Sequence, residues 1–264
     1  MQRLATRIVE KPWGRCGLDP CFGAAPKQKV GEIWFESPAG RPFDVMAKYL
    51  FTTERLSVQV HPDDEAARAA GHAYGKDECW IVLEATDDAE IGIGTCRPLG
   101  RAELVEAARS GAIADLVEWR KPRRGDVIYN PAGTIHSLGA GLTVLEIQQA
   151  ADLTYRLYDY GRERDLHLQE SADVARAEPH HHPVDGQVGD ASRILVDGPH
   201  FGVAWCVGVP PPLPAMRDIQ LLPIDAEVAG LRPGECGLVD ELEVGSLASG
   251  GNFVLAWSHV QEET

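Results

Sequence analysis

The length, composition and charge of the chain limit the classes of protein to which it can belong. Its 264 residues, 44% of them hydrophobic and 25% charged, suit a protein with a buried core, arranged as one large all-β domain or two smaller domains. The 40 acidic against 25 basic side chains give a net charge of -15, which repels phosphate backbones and anionic lipids. We therefore expect neither nucleic acid nor a membrane as a partner, whereas a small anionic substrate is compatible with a locally positive pocket.

The first residues and the cysteines indicate a cytoplasmic location. Residues 1–14 lack the apolar core of a secretory signal, and no run of about 18 apolar residues occurs in the chain. The six cysteines are scattered without a C-x-x-C pair, so we expect reduced thiols rather than a zinc knuckle or a disulfide framework. The sequence does not determine the oligomeric state.

Strand patterns outnumber helical patterns along the chain. Helical periodicity is confined to residues 63–70 and 100–109, whereas short alternating or apolar runs bounded by Gly, Pro and Asp predict strands. Many short strands and few helices favour an all-β fold of the barrel or sandwich type. The strands predicted in the first part of the chain are residues 31–37, 56–61, 79–85, 126–129, 142–148 and 154–159.

A break in this pattern divides the chain. Between residues 166 and 190 the strand signals stop, and the run His180, His181 and His182 stands between prolines in a predicted exposed loop. We interpret this run as exposed and not as a metal site, because consecutive side chains do not easily converge on one ion. Short strand signals then resume. The predicted division is a first domain over residues 1–165, a linker over 166–190 and a smaller β-domain over 191–264.

Polar side chains share one face of the second predicted strand. Because side chains alternate across a strand, Ser57, Gln59 and His61 lie on one side and apolar residues on the other. If this face lines a barrel interior, each unpaired polar group costs about 1–3 kcal/mol, and a bound ligand would remove that cost. Taken alone, His61 is more often a histidine satisfied by a backbone carbonyl, and Gln59 a surface residue.

Two further segments supply potential metal ligands. Alternation places Lys76 and Glu78 on one side of a strand, and His136 opens another strand after a Pro-x-Gly turn. Taken alone, this lysine and glutamate would belong to a solvated turn. Two imidazoles, a carboxylate and an amide suit zinc, and also manganese, iron or nickel. The sequence therefore predicts one divalent-metal site formed by Gln59, His61, Glu78 and His136.

Several motifs follow one another in a recognisable order and spacing over residues 8–165. They are SVQVHPDD (57–64), GKDECW (75–80), PAGTIH (131–136) and LEIQQ (145–149), with KPWG (11–14), GEIW (31–34) and DLTYRLYDYGR (152–162) around them. Together they resemble the class I mannose-6-phosphate isomerases (phosphomannose isomerases) of the cupin superfamily, in a short form. The resemblance implies a cupin-type β-barrel (jelly roll) in the first domain and a smaller, degenerate cupin-like unit in the second.

The resemblance also implies roles for individual residues. It gives Gln59, His61, Glu78 and His136 the ligand positions of one zinc ion per chain, with another divalent metal as the alternative. It places Arg156, Glu146 and Lys76 among the catalytic residues, and Trp13, Ser57, Lys76 and Arg156 along the pocket for a sugar phosphate. Without the resemblance, Arg156 fits a surface ion pair equally well, Trp13 ordinary packing, and Glu146 a carboxylate paired with Lys76.

The activity implied is the reversible interconversion of mannose 6-phosphate and fructose 6-phosphate through an enediol. This chemistry needs a base that takes a proton next to a carbonyl, and a group that stabilises the developing oxyanion. We expect Glu146 to be the base, with an oxygen or side chain near the metal, including Lys76 at a lowered pKa, as the alternative. Two other functions stay open: a metal-dependent cupin enzyme acting on another sugar phosphate or small acid, and a sugar-binding cupin without catalysis.

Overall fold

The computed structural model describes residues 1–260, and strands dominate them. The strands are β1 (Gln2–Arg3), β2 (Ala5–Arg15), β3 (Val30–Glu36), β4 (Val45–Phe51), β5 (Val58–Val60), β6 (Glu78–Ala85), β7 (Ile91–Thr95), β8 (Val117–Arg120), β9 (Asp126–Asn130), β10 (His136–Leu138), β11 (Leu142–Gln149), β12 (Tyr155–Tyr158), β13 (Gly186–Gln187), β14 (Arg193–Asp197), β15 (Gly202–Val207), β16 (Met216–Pro223), β17 (Gly237–Val239) and β18 (Asn252–His259). The predicted all-β fold class is confirmed.

The helices are short and few. They are a 3-10 helix at Pro20–Phe22, α1 (Asp64–Ala69), α2 (Arg101–Ser110), α3 (Ile113–Leu116), α4 (Leu168–Val174) and α5 (Glu241–Gly245). Helix α1 begins after Asp63, whose side chain accepts a hydrogen bond from the backbone N–H of Ala66, and both helices predicted from the sequence are confirmed within a residue at each end. Over residues 1–260, none of the helices combines the length and the apolar character needed to cross a bilayer.

The strands pair in three antiparallel sheets. The seven-stranded sheet has the order β13-β9-β6-β11-β4-β3-β2, the five-stranded sheet β12-β5-β10-β7-β8, and the six-stranded sheet β1-β17-β16-β18-β15-β14. Within residues 1–260 each sheet keeps two open edges, so the barrel expected for the first domain has the form of facing open sheets instead of a closed cylinder. One consequence is that a pocket between the sheets can reach solvent at an edge strand.

Apolar layers hold the three sheets together, with the seven-stranded sheet in the middle. Trp80, Val144 and Leu138 belong to a core between the seven-stranded and five-stranded sheets. The opposite face of the seven-stranded sheet packs on the six-stranded sheet, where Phe51 and Val254 share a second core. Helices α2, α3 and α4 cover the outer face of the five-stranded sheet. The middle sheet is therefore covered on both faces and keeps its inner positions from water.

The segment predicted as a linker packs against the first two sheets. Helix α4 lies on α2 and β12, and β13 pairs with β9 at an edge of the seven-stranded sheet. His180 is buried, with its Nε2 at 3.1 Å from Asp185 Oδ2, so the prediction that the whole histidine run is exposed is wrong for this residue. The run was misjudged because tertiary packing of a loop leaves no local pattern. The division into domains stays a prediction. Strand β1, from the predicted first domain, pairs with β17 in the six-stranded sheet, which otherwise consists of strands from the predicted second domain.

Gly75 lets two backbone segments meet beside the predicted metal site. A Cβ at this position would lie 2.4 Å from the carbonyl carbon of Asp63 and 2.5 Å from the backbone nitrogen of Asp64. The backbone N–H of Gly75 donates to Asp64 Oδ1 at 2.8 Å, and that of Lys76 donates to the carbonyl of Pro62 at 3.0 Å. This contact brings the start of β6 next to the end of β5.

We expect Gly75→Ala to lower the free energy of unfolding by about 1–3 kcal/mol, because the added methyl group must push two backbone segments apart. The change is measured by urea denaturation of the metal-free protein. Gly245→Ala is the matched control: no atom lies within 4 Å of the added Cβ, so we expect a change within about 0.5 kcal/mol. Equal small changes in the two variants would contradict the prediction.

Candidate metal centre and active site

Two facing sheets supply the predicted metal ligands. Glu78 opens β6 in the seven-stranded sheet, where it pairs with Gln148 on one side and Asn130 on the other. In the five-stranded sheet, Gln59 of β5 pairs with His136 of β10. The fourth predicted ligand, His61, follows β5 directly in the chain. Residues that the sequence places in separate motifs therefore face one another across the space between the two sheets.

The two histidines and the glutamate form a compact buried group. One donor atom from each of His61, Glu78 and His136 lies within 4.8 Å of the other two, and each residue is 1% exposed. The Nε2 atom of His61 is 3.2 Å from Glu78 Oε1, and that of His136 is 3.8 Å from Glu78 Oε2. This spacing lets all three donor atoms reach one ion placed between them.

Hydrogen bonds to backbone carbonyls indicate which imidazole nitrogens are free. The Nδ1 atom of His61 is 2.8 Å from the carbonyl oxygen of Leu153, and that of His136 is 2.9 Å from the carbonyl oxygen of Thr134. A carbonyl only accepts, so each Nδ1 carries the proton and each Nε2 presents a lone pair. Two lone pairs and a carboxylate aimed at one point suit a cation, and backbone anchoring of the distal nitrogen is typical of metal-binding histidines.

The charges of the group favour the ligand forms. Burial disfavours the ionised carboxylate, yet the ammonium of Lys76 and the imidazole of His61 hold the pKa of Glu78 well below its ordinary value. Burial, followed by the neighbouring His61, lowers the pKa of His136 to about 3. At neutral pH the carboxylate is therefore ionised and the His136 ring is neutral, which is the state that binds a metal.

Gln59 lies at the same centre with its amide nitrogen toward His136. Its Nε2 is 3.2 Å from His136 Nε2, while its Oε1 accepts a hydrogen bond from the Ser57 hydroxyl at 3.0 Å. A glutamine ligand uses its oxygen, which a half-turn of the amide brings to the position of the nitrogen. The role of Gln59 as fourth ligand stays a prediction, and the structure places it beside the other three.

Lys76 contributes the charge nearest to the predicted ligands. It is 5% exposed, and its Nζ is 3.0 Å from Glu78 Oε1 and 3.4 Å from His61 Nε2. Its carboxylate partner is therefore Glu78, and the alternative pairing of Lys76 with Glu146 is wrong. The pairing follows from side-chain alternation, since residues 76 and 78 lie on the same side of the strand.

Sequence reasoning missed Lys48, which is the partner of Glu146. The registers of β3, β4, β11 and β6 align Trp34, Lys48, Glu146 and Trp80 in one row across the seven-stranded sheet. Lys48 Nζ lies 2.8 Å from Glu146 Oε1, and Trp80 Nε1 donates to Glu146 Oε2 at 3.0 Å. A lysine inside the apolar strand VMAKYLF was the available signal, because a buried ammonium needs a carboxylate.

A single pocket joins the two polar groups. Trp13, Ser57 and Arg156 line it, as the motifs predict, and Trp13 is only 3% exposed. Burial raises the pKa of Glu146, and nearby Glu78 raises it further, whereas Lys48 opposes the shift. Sequence reasoning did not identify several further lining residues, which are Lys11, Glu32, Lys48, Trp80, Asp152, Thr154 and Arg164. The pocket is thus lined with ionisable groups, which are common in catalytic sites.

Comparisons with known proteins agree with this architecture. The chain is 37% identical to a mannose-6-phosphate isomerase of Bacillus subtilis (strain 168), with 74% of this chain and 75% of that protein covered. The chain belongs to the mannose-6-phosphate isomerase family. The family predicted from the motifs is therefore confirmed, although no family model matches the chain.

Solved structures of the mannose-6-phosphate isomerase family share the fold. The mannose 6-phosphate isomerase from Bacillus subtilis superposes with a TM-score of 0.79 and 24% identity, covering 98% of this chain and 99% of that one. A zinc-bound mannose 6-phosphate isomerase superposes with a TM-score of 0.69 and 13% identity, covering 98% of this chain and 99% of that one. The cupin fold expected from the motifs is thereby confirmed.

Asn130 holds the metal-binding carboxylate of this family member from the neighbouring strand. Its Nδ2 donates to Glu78 Oε2 at 2.8 Å. We expect Asn130→Ala to weaken zinc binding about 10–100-fold, the usual effect of losing a hydrogen bond to a metal ligand. Zinc affinity is measured by competition with a chromophoric chelator. Asn252→Ala, in the six-stranded sheet, is the control and keeps its affinity, and an equal affinity in both variants would contradict the prediction.

The buried His136 ring predicts a pH dependence of stability in the metal-free protein. Its folded pKa is about 3 against an ordinary value of 6.5, so between these pH values the unfolded chain binds a proton that the folded chain does not. The free energy of unfolding therefore falls as pH drops below 6.5, by up to about 1.4 kcal/mol per pH unit from this group. Denaturant titrations from pH 7 to 5 measure the slope. His136→Asn should have a shallower slope, and an unchanged slope argues against a neutral buried ring.

Proposed function

We propose that the protein is a metal-dependent aldose-ketose isomerase that interconverts mannose 6-phosphate and fructose 6-phosphate. The observation that carries the proposal is the buried group of two imidazole lone pairs and one carboxylate, His61, His136 and Glu78, facing a pocket lined with cations. Membership of the mannose-6-phosphate isomerase family supports this choice of reaction among those open to metal-binding cupins.

We assign the metal to one zinc ion per chain, held by Gln59, His61, Glu78 and His136. Two neutral imidazoles and an ionised carboxylate are donors that zinc accepts, and relatives in the family include a zinc-bound enzyme. When bound, the ion would supply Lewis-acid stabilisation of the oxyanion that develops during the isomerisation. Because these donors are shared with other divalent ions, manganese, iron or nickel would fit the same residues.

Glu146 is the base that we assign to the proton transfer between C1 and C2. It is 3% exposed and lines the pocket, and its raised pKa makes its carboxylate a stronger base than an ordinary glutamate. Lys48 and Trp80 hold its two oxygens at 2.8 and 3.0 Å, so the carboxylate has a fixed orientation. Lys48 and Trp80 therefore keep the Glu146 carboxylate in place while it gains and loses the proton.

Lys76 and Arg156 provide positive charge on two sides of the pocket. Lys76 is buried against Glu78, where an ammonium stabilises a developing enediolate oxygen. Arg156 pairs in register with Gln59, so its strand places it beside the predicted ligands. We assign both residues, with Trp13 and Ser57, to binding of the sugar phosphate.

The six free cysteines fit a reducing compartment, which supports the expected cytoplasmic location.

The test is an assay of zinc-loaded protein for fructose 6-phosphate formed from mannose 6-phosphate. Loss of one of the four assigned protein ligands weakens metal binding, so His61→Ala should reduce turnover by at least about 100-fold. The matched control is His181→Ala, which changes an exposed histidine and should retain turnover. Failure of the wild-type protein to exceed the His61→Ala variant would reject the proposal. Measured zinc content separates loss of metal from loss of chemistry.

A further inference from the structure

The polar residues of the five-stranded sheet run in one line from the metal-binding group to a sheet edge. His136 pairs in register with Gln59, and Gln59 with Arg156, which lies on the edge strand β12. Exposure rises in the same direction, from 1% for His136 to 30% for the side chain of Arg164, which follows β12 and lines the same pocket. The pocket is thus buried at the metal-binding group and reaches solvent near Arg164, where the exposed Asp152 also lines it.

Arg164 is held in a fixed orientation by one buried carboxylate. Its Nε and Nη2 atoms donate to Asp159 Oδ2 at 2.6 Å and to Asp159 Oδ1 at 2.7 Å, a two-point contact that fixes the plane of the guanidinium. The same carboxylate also accepts from Arg162 Nη1 at 3.0 Å. Asp159 therefore accepts hydrogen bonds from two arginines. The N–H groups of Arg164 outside this contact are available to an anion.

Arg156, which lines the same pocket, has a donor without a partner. Its Nε is buried and has no hydrogen-bond partner among residues 1–260. Burial lowers the pKa of Arg156, and the charge of Arg164 lowers it further, whereas Asp159, Asp152 and Asp165 oppose the shift. An anion bound in the pocket would give this Nε a partner and would be attracted by both guanidinium groups.

We propose that Arg164 is a specificity-determining residue that binds the phosphate group of the substrate together with Arg156, and that Asp159 positions it. The inference rests on the proposed function of the same pocket. Mannose 6-phosphate carries its phosphate on C6, away from the reacting C1 and C2, and the pocket extends from the buried metal-binding group to Arg164, whose side chain is 30% exposed. A guanidinium offers paired donors that match phosphate oxygens.

Other cations near the pocket are engaged elsewhere. Lys11 Nζ lies 3.4 Å from Glu32 Oε1. Arg162 turns toward the surface, where its Nη2 donates to Glu54 Oε2 at 3.0 Å and to the carbonyl of Arg55 at 2.8 Å. Arg162 does not line the pocket, although it shares Asp159 with Arg164. It therefore provides a matched control with the same side chain and the same carboxylate partner.

The first measurement uses inorganic phosphate as the probe, with zinc-loaded wild-type protein, Arg164→Met and Arg162→Met compared by isothermal titration calorimetry. A hydrogen bond between charged groups contributes about 1.5–3 kcal/mol, so Arg164→Met should bind phosphate about 10–100-fold more weakly. Arg162→Met should stay within about twofold of wild type, since its side chain points away from the pocket. Equal affinity in the two variants, or no binding of phosphate to wild type, would overturn the proposal.

The second measurement separates recognition from chemistry. With mannose 6-phosphate, Arg164→Met should raise KM about 10–100-fold and leave kcat within about threefold, because the phosphate contact is made in both ground and transition states. Unphosphorylated mannose, added as an inhibitor, should bind equally to wild type and variant. A fall in kcat at unchanged KM would contradict the assignment.

The two measurements distinguish failure of the proposed function from failure of the anion site. If the wild-type protein has no isomerase activity while Arg164→Met still loses phosphate binding, the proposed function fails and the anion site stands. Should Arg164→Met prove unfolded by circular dichroism, Arg164→Lys keeps the charge and loses the two-point contact, and it should bind phosphate more weakly than wild type and raise KM. Affinity equal to wild type in Arg164→Lys, with no change in KM, would also reject the role.

Discussion

The buried carboxylate of Glu78 is the constraint around which the site is built. A carboxylate at 1% exposure is strongly disfavoured unless charges and donors surround it. Its partners are Lys76 just before its own strand, Asn130 from the next strand, and the imidazoles of His136 in the facing sheet and of His61 directly after β5. Because the groups that stabilise the Glu78 carboxylate come from both sheets, packing the two sheets together also assembles the metal site.

The same rule of paired charges explains how a polar pocket exists inside an apolar sandwich. The inner face of the seven-stranded sheet carries Lys48 between Glu146 and Glu32, with Nζ at 2.8 Å from the first and 3.7 Å from the second. The indole N–H of Trp80 donates a hydrogen bond to Glu146, and that of Trp34 donates one to Glu32. Around this row the core is apolar, so the charged groups keep their positions and their interactions are little screened by water.

The open edge of the five-stranded sheet lets one side of the pocket reach solvent. The metal-binding group lies where β5, β6 and β10 meet, covered by layers on both sides. Arg156 stands on the edge strand β12, where the sheet ends and solvent begins. A closed cylinder would lack this edge, since every strand would have two neighbours. Open sheets thus combine a rigid, dry centre with an accessible entrance.

Local patterns in the sequence determined the fold class, the two helices, and the neighbouring positions of Ser57, Gln59 and His61, because alternation depends only on adjacent residues. The motifs identified the family. The tertiary structure alone decided that Lys48 is the partner of Glu146, that Arg164 lines the pocket while Arg162 turns away, and that His180 is buried. These features depend on the register between distant strands and on how loops pack over them, and neither leaves a periodic trace in the chain.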